Sequence, residues 1–576
     1  MAKLQLFSRI ESGTFTFGTT ENPQWLATKQ RRVYILTPPL PMDTCFQLQQ
    51  RLEKGCIPRL LRVWKSLIPL RRFLWLRLNG LGYRFPGFPI PLTQISYEEN
   101  LLATEEQQSL WDQIMQLLSG RILSDSQLLQ GLGSNSWWPA DILRTLEQGF
   151  QSGAWLYQPG IVKEPWGVHR CLRCNSLVEH SRPCYSCGRD HCPVCLSCQS
   201  LGEIRGCTRL IVPGHHGTRK LPNKYHPVKD HLFQLDYALT TAQERASQEL
   251  IKFLYSDPVQ ILVWAACGAG KTEVTFGAIS QTLQAGGQVL FAIPRRDVVR
   301  EIAERLQKSF PTVTVVQHYA GQPWNSPGDL VVATTHQALR FYQRFALVIL
   351  DEVDAFPYQG SDMLRFAMDR ARIPGGKLIE MTATPKRIPR GDRLITIPAR
   401  YHGFPLPTPA FVKLKLPKWT ELAKHSLPHQ VLEPFADPKT VYLVFVPTVA
   451  AARHVGDFLK SHVSQSVCHC SAQDPLRKEK RDGLESGAYQ IMVTTSIMER
   501  GITIANVQVM VLYCDHPVFT EQSLVQMAGR VGRKKAYPQG WVMFFGERYT
   551  SHVKEAIQRI NYLNEQAKQQ GLLLEV

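Results

Sequence analysis

Three short patterns in this 576-residue chain carry residue types that could bind and cleave a nucleoside triphosphate. The first, Ala265-Ala266-Cys267-Gly268-Ala269-Gly270-Lys271-Thr272, follows the apolar run VQILVW and fits the phosphate loop G-x-x-x-x-G-K-[ST], with Ala265 in place of the first glycine. Small residues let successive backbone N–H groups turn toward a β-phosphate at a helix N-terminus. Lys271 would reach the β- and γ-phosphates, and Thr272 would ligate Mg²⁺. The second, Asp351-Glu352-Val353-Asp354, comes straight after Leu347-Val348-Ile349-Leu350. A carboxylate leaving a buried strand can hold the metal, the role given to Asp351, while Glu352 takes a proton from the attacking water. The third is Gln526-Met527-Ala528-Gly529-Arg530-Val531-Gly532-Arg533. Arg530 and Arg533, three apart, share one helix face and could stabilise charge on the transferred phosphoryl group. Any one of the three could be an ordinary loop, acidic turn or basic helix end; their joint presence favours chemistry.

A fourth pattern could hold metal. Eight of the 14 cysteines lie in Cys171-x2-Cys174-x9-Cys184-x2-Cys187-x4-Cys192-x2-Cys195-x2-Cys198-x8-Cys207. Each C-x-x-C puts two thiolates on one tight turn, and two such turns complete a tetrahedral Zn²⁺ shell. Cys171, Cys174, Cys184 and Cys187 read as the two halves of a ribbon, with Cys192, Cys195, Cys198 and Cys207 as a second site. An interleaved arrangement is equally compatible with the spacing, as is one ion rather than two. Closed thiolate shells leave no position for water, so the zinc reads as structural. His169, His180 and His191 are taken as non-ligands.

The elements that must position these groups change along the chain. From about 236 onward, short β-branched runs such as Ile261–Val263, Val441–Val446 and Val507–Leu512 alternate with helical patterns, among them Val298, Val299, Ile302, Leu306 and Phe310 on one face. That alternation predicts α/β architecture with parallel sheets. Seven prolines between Pro405 and Pro438 mark a seam between two lobes. The expected organisation is a basic N-terminal accessory region of mixed structure over 1–165, a cysteine module over 166–210, a first lobe over 236–405 and a second over 406–576. The connector PGHHGTRKLPNKYHPVKD reads as a loop, and Ala140 to Gly149 as a short helix ended by its glycine. The stretch Arg59 to Leu78 mixes six basic residues with Trp64, Phe73 and Trp75. It reads either as a surface for single-stranded nucleic acid or lipid headgroups, or as two amphipathic elements with solvated arginines.

Composition sets the outer bounds. With 44% apolar and 20% charged residues the chain is neither disordered nor fibrous. Lys and Arg total 66 against 48 Asp and Glu, a net charge of +18 that favours a polyanionic partner. No run approaches the ~20 apolar residues needed to cross a bilayer, and the first residues lack a signal-peptide core, so a cytoplasmic setting with reduced thiols is expected.

Together these patterns resemble superfamily 2 helicase and translocase motors. Matching pieces run in family order from Gln243 to Arg533, about half the chain. Leu239-Thr240-Thr241-Ala242-Gln243 resembles the glutamine motif that recognises adenine, and Thr382-Ala383-Thr384-Pro385 the motif coupling hydrolysis to movement. Thr494-Thr495 through Glu499-Arg500-Gly501-Ile502 resembles the fifth motif, and Gln526 to Arg533 the sixth. Pro294-Arg295-Arg296 and Thr334-Thr335-His336 match positions where such motors touch a strand backbone. The resemblance implies two tandem RecA-like lobes, with ATP and Mg²⁺ as cofactors in a DNA-dependent ATP hydrolase. The cysteine module ahead of the motor and the phrases AIPRRDVVREIAERL, DEVDAFPY and RYHGFPLP are similar to the ComFA family of competence ATPases. That similarity implies single-stranded DNA as partner, action in uptake of transforming DNA, and other uptake proteins at the inner face of the cell membrane, where the chain would sit peripherally. The cysteines outnumber the four-cysteine site associated with that family. Two other readings stand beside it: a duplex-unwinding helicase of replication restart, and a zinc-stabilised DNA-binding scaffold with weak or no ATPase.

Overall fold

The computed structural model describes residues 105–574, apart from 134–138, 185–186, 188, 215–231, 390, 438–439, 472 and 500–503, together with strand segments between residues 3 and 95. The first lobe is a seven-stranded sheet of β1 (Gln260–Ala265), β2 (Val289–Ile293), β3 (Val315–His318), β4 (Leu330–Thr334), β5 (Phe345–Asp351), β6 (Arg372–Thr382) and β7 (Leu394–Ile397), in the order β3-β4-β2-β5-β6-β1-β7. Every pairing in it is parallel. Strands covered by helices on both faces need apolar residues at consecutive positions, and β2 and β5 are buried at each of theirs. The functional loops leave the carboxyl ends of these strands, as open α/β sheets require. The helix seen in the spacing of Val299, Ile302 and Leu306 spans Arg296–Ser309, with those three residues buried and Phe310 buried just beyond its end.

The second lobe is a six-stranded sheet of β8 (Ala410–Lys413), β9 (Val441–Phe445), β10 (Val467–Cys470), β11 (Ile491–Thr494), β12 (Val507–Leu512) and β13 (Val542–Gly546), in the order β8-β13-β12-β9-β11-β10, again parallel throughout. The chain crosses between the sheets over 398–409, at the front of the proline-rich stretch. The last helix, Ser551–Gln569, packs back on the first lobe. Tyr562 stacks on Trp264 at 5.4 Å, and Asn564 exchanges two hydrogen bonds with the backbone of Leu406 at 2.8 and 2.9 Å.

Ahead of the motor, strands Leu123–Ser124, Arg209–Pro213 and Trp155–Pro159 form one antiparallel sheet flanked by helices Glu105–Leu118, Asp125–Leu132 and Pro139–Ser152. Strand Arg209–Pro213, beyond the last cysteine, thus pairs with strands that precede the first. The helix expected to end at Gly149 runs on to Ser152. Gly149 is there for space rather than for a cap: a Cβ on it would lie 2.0 Å from Trp155 Cζ2. This module is fused to the first lobe. Ile122 N donates to Arg340 O at 2.8 Å and Tyr342 N to Gly120 O at 2.9 Å, and one apolar core runs from Ile161, Cys171 and Cys174 to Leu339 and Leu364. Further upstream, Lys3–Glu11, Thr14–Thr20, Arg32–Ile35, Leu40–Pro41 and Thr93–Ile95 make a small sheet. The basic-aromatic stretch Arg59 to Leu78 and nearly all of the connector lie outside the described residues.

Candidate functional site

The phosphate loop joins β1 to a helical segment that begins at Glu273. Gly268 and Gly270 sit at φ +85° and +74°, a region that side chains disfavour, and a Cβ on Gly270 would meet Gln243 Nε2 at 2.3 Å. Gln243 is therefore part of the loop's support. Its amide donates to Ala269 O at 2.9 Å, and its carbonyl oxygen accepts from Thr240 N at 2.9 Å in the capping box of helix Thr241–Leu254. Lys271 Nζ lies 3.4 Å from Asp351 Oδ1. Burial opposes the Lys271 charge, but the carboxylates of Asp351 and Glu352 outweigh it and hold the ammonium above its usual range. Burial pushes the Asp351 carboxyl up, against the pull of Lys271. Thr272 is also buried, at 6% exposure. Glu352 takes φ +54°, and its N–H donates to Asp351 Oδ1 at 2.8 Å, so the two acids leave the strand end in different directions.

One acid in this segment was not singled out by the sequence reading. Asp354 accepts from Thr382 Oγ1 at 2.7 Å and from Thr384 Oγ1 at 2.6 Å, all three groups being buried. The end of β5 is thereby tied to the end of β6, and the last letter of DEVD together with the TAT triplet was the available signal.

Across the cleft, helix Glu521–Ala528 and the turn after it present Gln526, Arg530 and Arg533. Arg530 Nε donates to Glu499 O at 2.8 Å, and Arg533 Nε to Gly529 O at 2.9 Å. Cys267 Sγ lies 3.6 Å from Gln526 Oε1, and a Cβ on Gly529 would sit 2.5 Å from Cys267 Cβ, so the lobes touch at the phosphate loop itself. Between them lies a cleft of about 2010 Å³ lined by Gly268, Lys271, Thr272, Asp351, Glu352, Gln526, Arg530 and Arg533 among others. Of the expected loop residues, Ala265 and Ala266 are not on its wall: Ala265 ends β1, and the Ala266 N–H donates to Ile397 O at 2.9 Å. Of the expected strand contacts, Arg295 reaches Ile497 O in the second lobe at 3.5 Å and Arg296 lies over the Tyr319 ring at 4.9 Å, while Thr335 is buried. Arg500, Gly501 and Ile502 lie outside the described residues.

The eight cysteines gather into two groups, Cys171, Cys174, Cys195 and Cys198 in one and Cys184, Cys187, Cys192 and Cys207 in the other, each within 4.8 Å. The sequential assignment is overturned in favour of the interleaved one. Strands His180–Cys184 and Arg189–Cys195 form a hairpin that sets Cys184 and Cys187 near Cys192, while Cys195 points back to the first turn. Sγ–Sγ separations are 3.9, 3.5 and 3.7 Å in the first group and 3.5 and 4.0 Å in the second. A disulfide would need ~2.05 Å. Tetrahedral thiolates about 2.3 Å from a shared zinc stand about 3.8 Å apart, so both groups fit such an ion. Arg173, 1% exposed, donates to Cys198 Sγ at 3.1 and 3.3 Å, which suits a thiolate rather than a thiol.

Known proteins give the same outline. Residues 107–212 match the competence protein ComFA N-terminal domain, 236–387 the type III restriction enzyme res subunit, and 425–535 the helicase conserved C-terminal domain. The yeast S. cerevisiae Dbp5 bound to RNA and ADP BeF3 aligns over 56% of this chain and 87% of that one, at 19% identity and a TM-score of 0.41. Two lobes of parallel sheet with these motifs in this order define an ATP-hydrolysing, DNA-dependent enzyme of the superfamily 2 helicase class. Competence protein ComFA of Bacillus subtilis (strain 168) is 34% identical over 414 residues, covering 69% of this chain and 86% of its own. Its counterpart in Streptococcus pneumoniae (strain ATCC BAA-255 / R6) is 32% identical, covering 71% and 93%. The chain belongs to the ComFA family of competence proteins. No helix among the described residues is long and apolar enough to cross a membrane.

Proposed function

We propose that this chain is an ATP- and Mg²⁺-dependent motor that moves single-stranded DNA during uptake of transforming DNA. One observation carries the reading: Lys271, Asp351 and Glu352 of the first lobe and Arg530 and Arg533 of the second line a single cleft. Phosphoryl transfer is catalysed by positioning and charge stabilisation, and those are the groups it calls for. Lys271 binds the β- and γ-phosphates, and Gln243 holds the loop at the adenine side. Thr272 and Asp351 would hold Mg²⁺, which supplies charge neutralisation on the phosphates. Glu352 takes the proton of the attacking water. Arg530 and Arg533 bring positive charge from the opposite lobe as the cleft closes. The tie from Asp354 to Thr382 and Thr384 offers a route by which nucleotide state reaches the far side of the lobe.

The two cysteine groups hold one structural Zn²⁺ each. The positive net charge and the sequence-blind backbone contacts of Arg295, Arg296 and His336 guide the strand. Partners in this reading are uptake proteins at the inner membrane face, with the chain peripheral there. The experiment is an ATPase titration with single- and double-stranded oligonucleotides on wild type and Glu352→Gln. Single strands should raise the wild-type rate, and Glu352→Gln should bind ATP but turn over about 100- to 10,000-fold more slowly. Undiminished hydrolysis in the variant removes the role of Glu352, and a rate indifferent to oligonucleotide removes the DNA-coupled motor.

A further inference from the structure

The linker between the lobes contains a buried cation that the ATP site as described above does not use. Arg400 is 2% exposed, and no carboxylate pairs with it among the described residues. Burial pulls its guanidinium down to about 10. Four contacts hold it, all to backbone carbonyls and drawn from both lobes. Nε donates to Cys267 O, inside the phosphate loop, at 3.1 Å. Nη1 donates to Val531 O at 2.7 Å and Gly532 O at 2.8 Å, and Nη2 to Gly529 O at 3.4 Å. The three carbonyls of the second lobe converge because helix Glu521–Ala528 runs out in tight turns, with Arg530 N on Met527 O at 3.1 Å and Val531 N on Ala528 O at 3.2 Å. Gly532 then reverses the chain at φ +69°, where a Cβ would fall 2.7 Å from Arg400 Nη1. A helix C-terminus is the negative pole of its dipole, so a planar five-donor cation is well matched to this nest of oxygens. Linker neighbours add to the grip: His402 Nε2 lies 2.9 Å from Gly532 O, and Tyr401 Oη donates to Arg533 O at 3.3 Å.

The turn thus held is the one that carries Arg530 and Arg533. Arg400 itself lies behind the phosphate loop, with its Cγ 3.9 Å from where a Cβ of Gly268 would be, and it does not line the cleft. We propose that Arg400 is a positioning residue that locks the arginine-bearing turn of the second lobe to the backbone of the phosphate loop, so that Arg530 and Arg533 reach the γ-phosphate only while this clasp is made. The proposal rests on the motor reading of the cleft. Lysine could supply the charge from one point but not the fork that joins two lobes.

The test compares Arg400→Met, Arg400→Lys, Arg533→Ala and the double variant Arg400→Met/Arg533→Ala in the full-length chain. Readouts are steady-state ATPase with single-stranded oligonucleotide, equilibrium binding of a fluorescent ATP analogue, and thermal unfolding. Displacing catalytic groups by about 1 Å costs about 100-fold in turnover, so Arg400→Met should lose about 100-fold in kcat. Its affinity for the analogue should stay within about threefold of wild type, because Lys271 and the loop N–H groups that bind phosphate remain. Arg400→Lys should recover only part of the loss, and it serves as the probe should Arg400→Met fail to fold. With Arg533 gone the clasp acts only through Arg530, so the loss in the double variant should fall well short of the product of the two single losses. Losses that multiply in the double variant, or turnover in Arg400→Met and Arg400→Lys equal to wild type while Arg533→Ala is inactive, would overturn the clasp. A further result, full turnover in Arg533→Ala itself, would instead overturn the motor reading on which the clasp depends.

Discussion

Two seams in this molecule are each crossed by an arginine that donates to backbone carbonyls of the neighbouring unit, half-buried Arg370 at one and buried Arg400 at the other, and they differ in what surrounds it. At the seam between the cysteine module and the first lobe, Arg370 donates to Arg173 O and to Leu172 O on the module side, the latter at 3.2 Å, and to Leu339 O at 2.6 Å and Phe341 O at 3.2 Å on its own side. There the stitch lies within a continuous apolar core and beside a β-bridge from Arg121 to Phe341. At the seam between the lobes, Arg400 makes the same kind of contacts and an apolar core again runs across, through Cys267, Leu406, Val525, Ala528, Ile560 and Leu563, but a charged cleft of about 2010 Å³ opens next to it. Apolar burial on all sides favours a permanent joint. Where a joint borders an open charged cleft, its directional bonds can be exchanged there for water or ligand, as a hinge requires. The module reads as a fixed part of the first lobe, and the interlobe seam as the moving one.

The largest effect should come from the cysteines. Removing metal with a strong chelator, or changing Cys171 and Cys198 to serine, should unfold the module and weaken the first lobe with it, since structural zinc contributes about 10 kcal/mol or more to folding. Metal analysis of the native chain should give two zinc ions, and a module that stays protease-resistant without metal would break the comparison. Next, Arg370→Met leaves buried carbonyls of Leu172, Arg173, Leu339 and Phe341 without that donor. At about 1 kcal/mol for each of the four lost partners, a stability loss of about 4 kcal/mol is expected in chemical denaturation. An unaltered midpoint would show that the apolar core alone makes this seam.

Gly529→Ala sharpens the contrast from the other side, because its Cβ would come within 2.5 Å of Cys267 Cβ. Overpacking of this kind costs about 1–3 kcal/mol when the neighbours cannot move. Here the lobes can part instead, so turnover should fall while the unfolding midpoint barely shifts; a drop in midpoint without loss of turnover contradicts the hinge. An effect absent at neutral pH concerns His318, 2% exposed near the module seam, where burial and then the charges of Arg121, Arg344 and Arg340 push it down to about 3. Its folded value lies below its unfolded one, so the folded state is favoured above about 6.5 and loses stability as pH falls from there toward about 3. Each unit in that window costs about 1.4 kcal/mol. Replacing His318 with glutamine should flatten this part of the wild-type melting profile, and parallel profiles would assign the acid sensitivity elsewhere.

The motor was largely legible in the sequence because its pieces are local. Lys271 and Thr272 follow a strand and begin a helical segment, Asp351 and Glu352 end a buried strand, and the spacing of Val299, Ile302 and Leu306 fixes a helix face with no knowledge of partners. The cysteines show where local reading stops. Eight clustered thiols, seven of them in C-x-x-C spacing, announce metal chemistry, yet their partition depends on a hairpin between Cys184 and Cys192 that brings distant turns together. Gly149 was misread as a helix end because the reason for a glycine there is the Trp155 ring, which only packing supplies.

Residue types and short-range spacing alone determined the class of chemistry, the presence of two parallel-sheet lobes and the existence of thiolate sites, since each follows from chain-local rules of phosphate binding, burial and ligand geometry. Tertiary structure decided which cysteines stand together, that Asp354 is bonded to Thr382 and Thr384, and that Arg400 grips carbonyls more than a hundred positions away on either side. Backbone oxygens are identical at every residue, so a side chain that recognises them leaves no trace in the sequence of its partner.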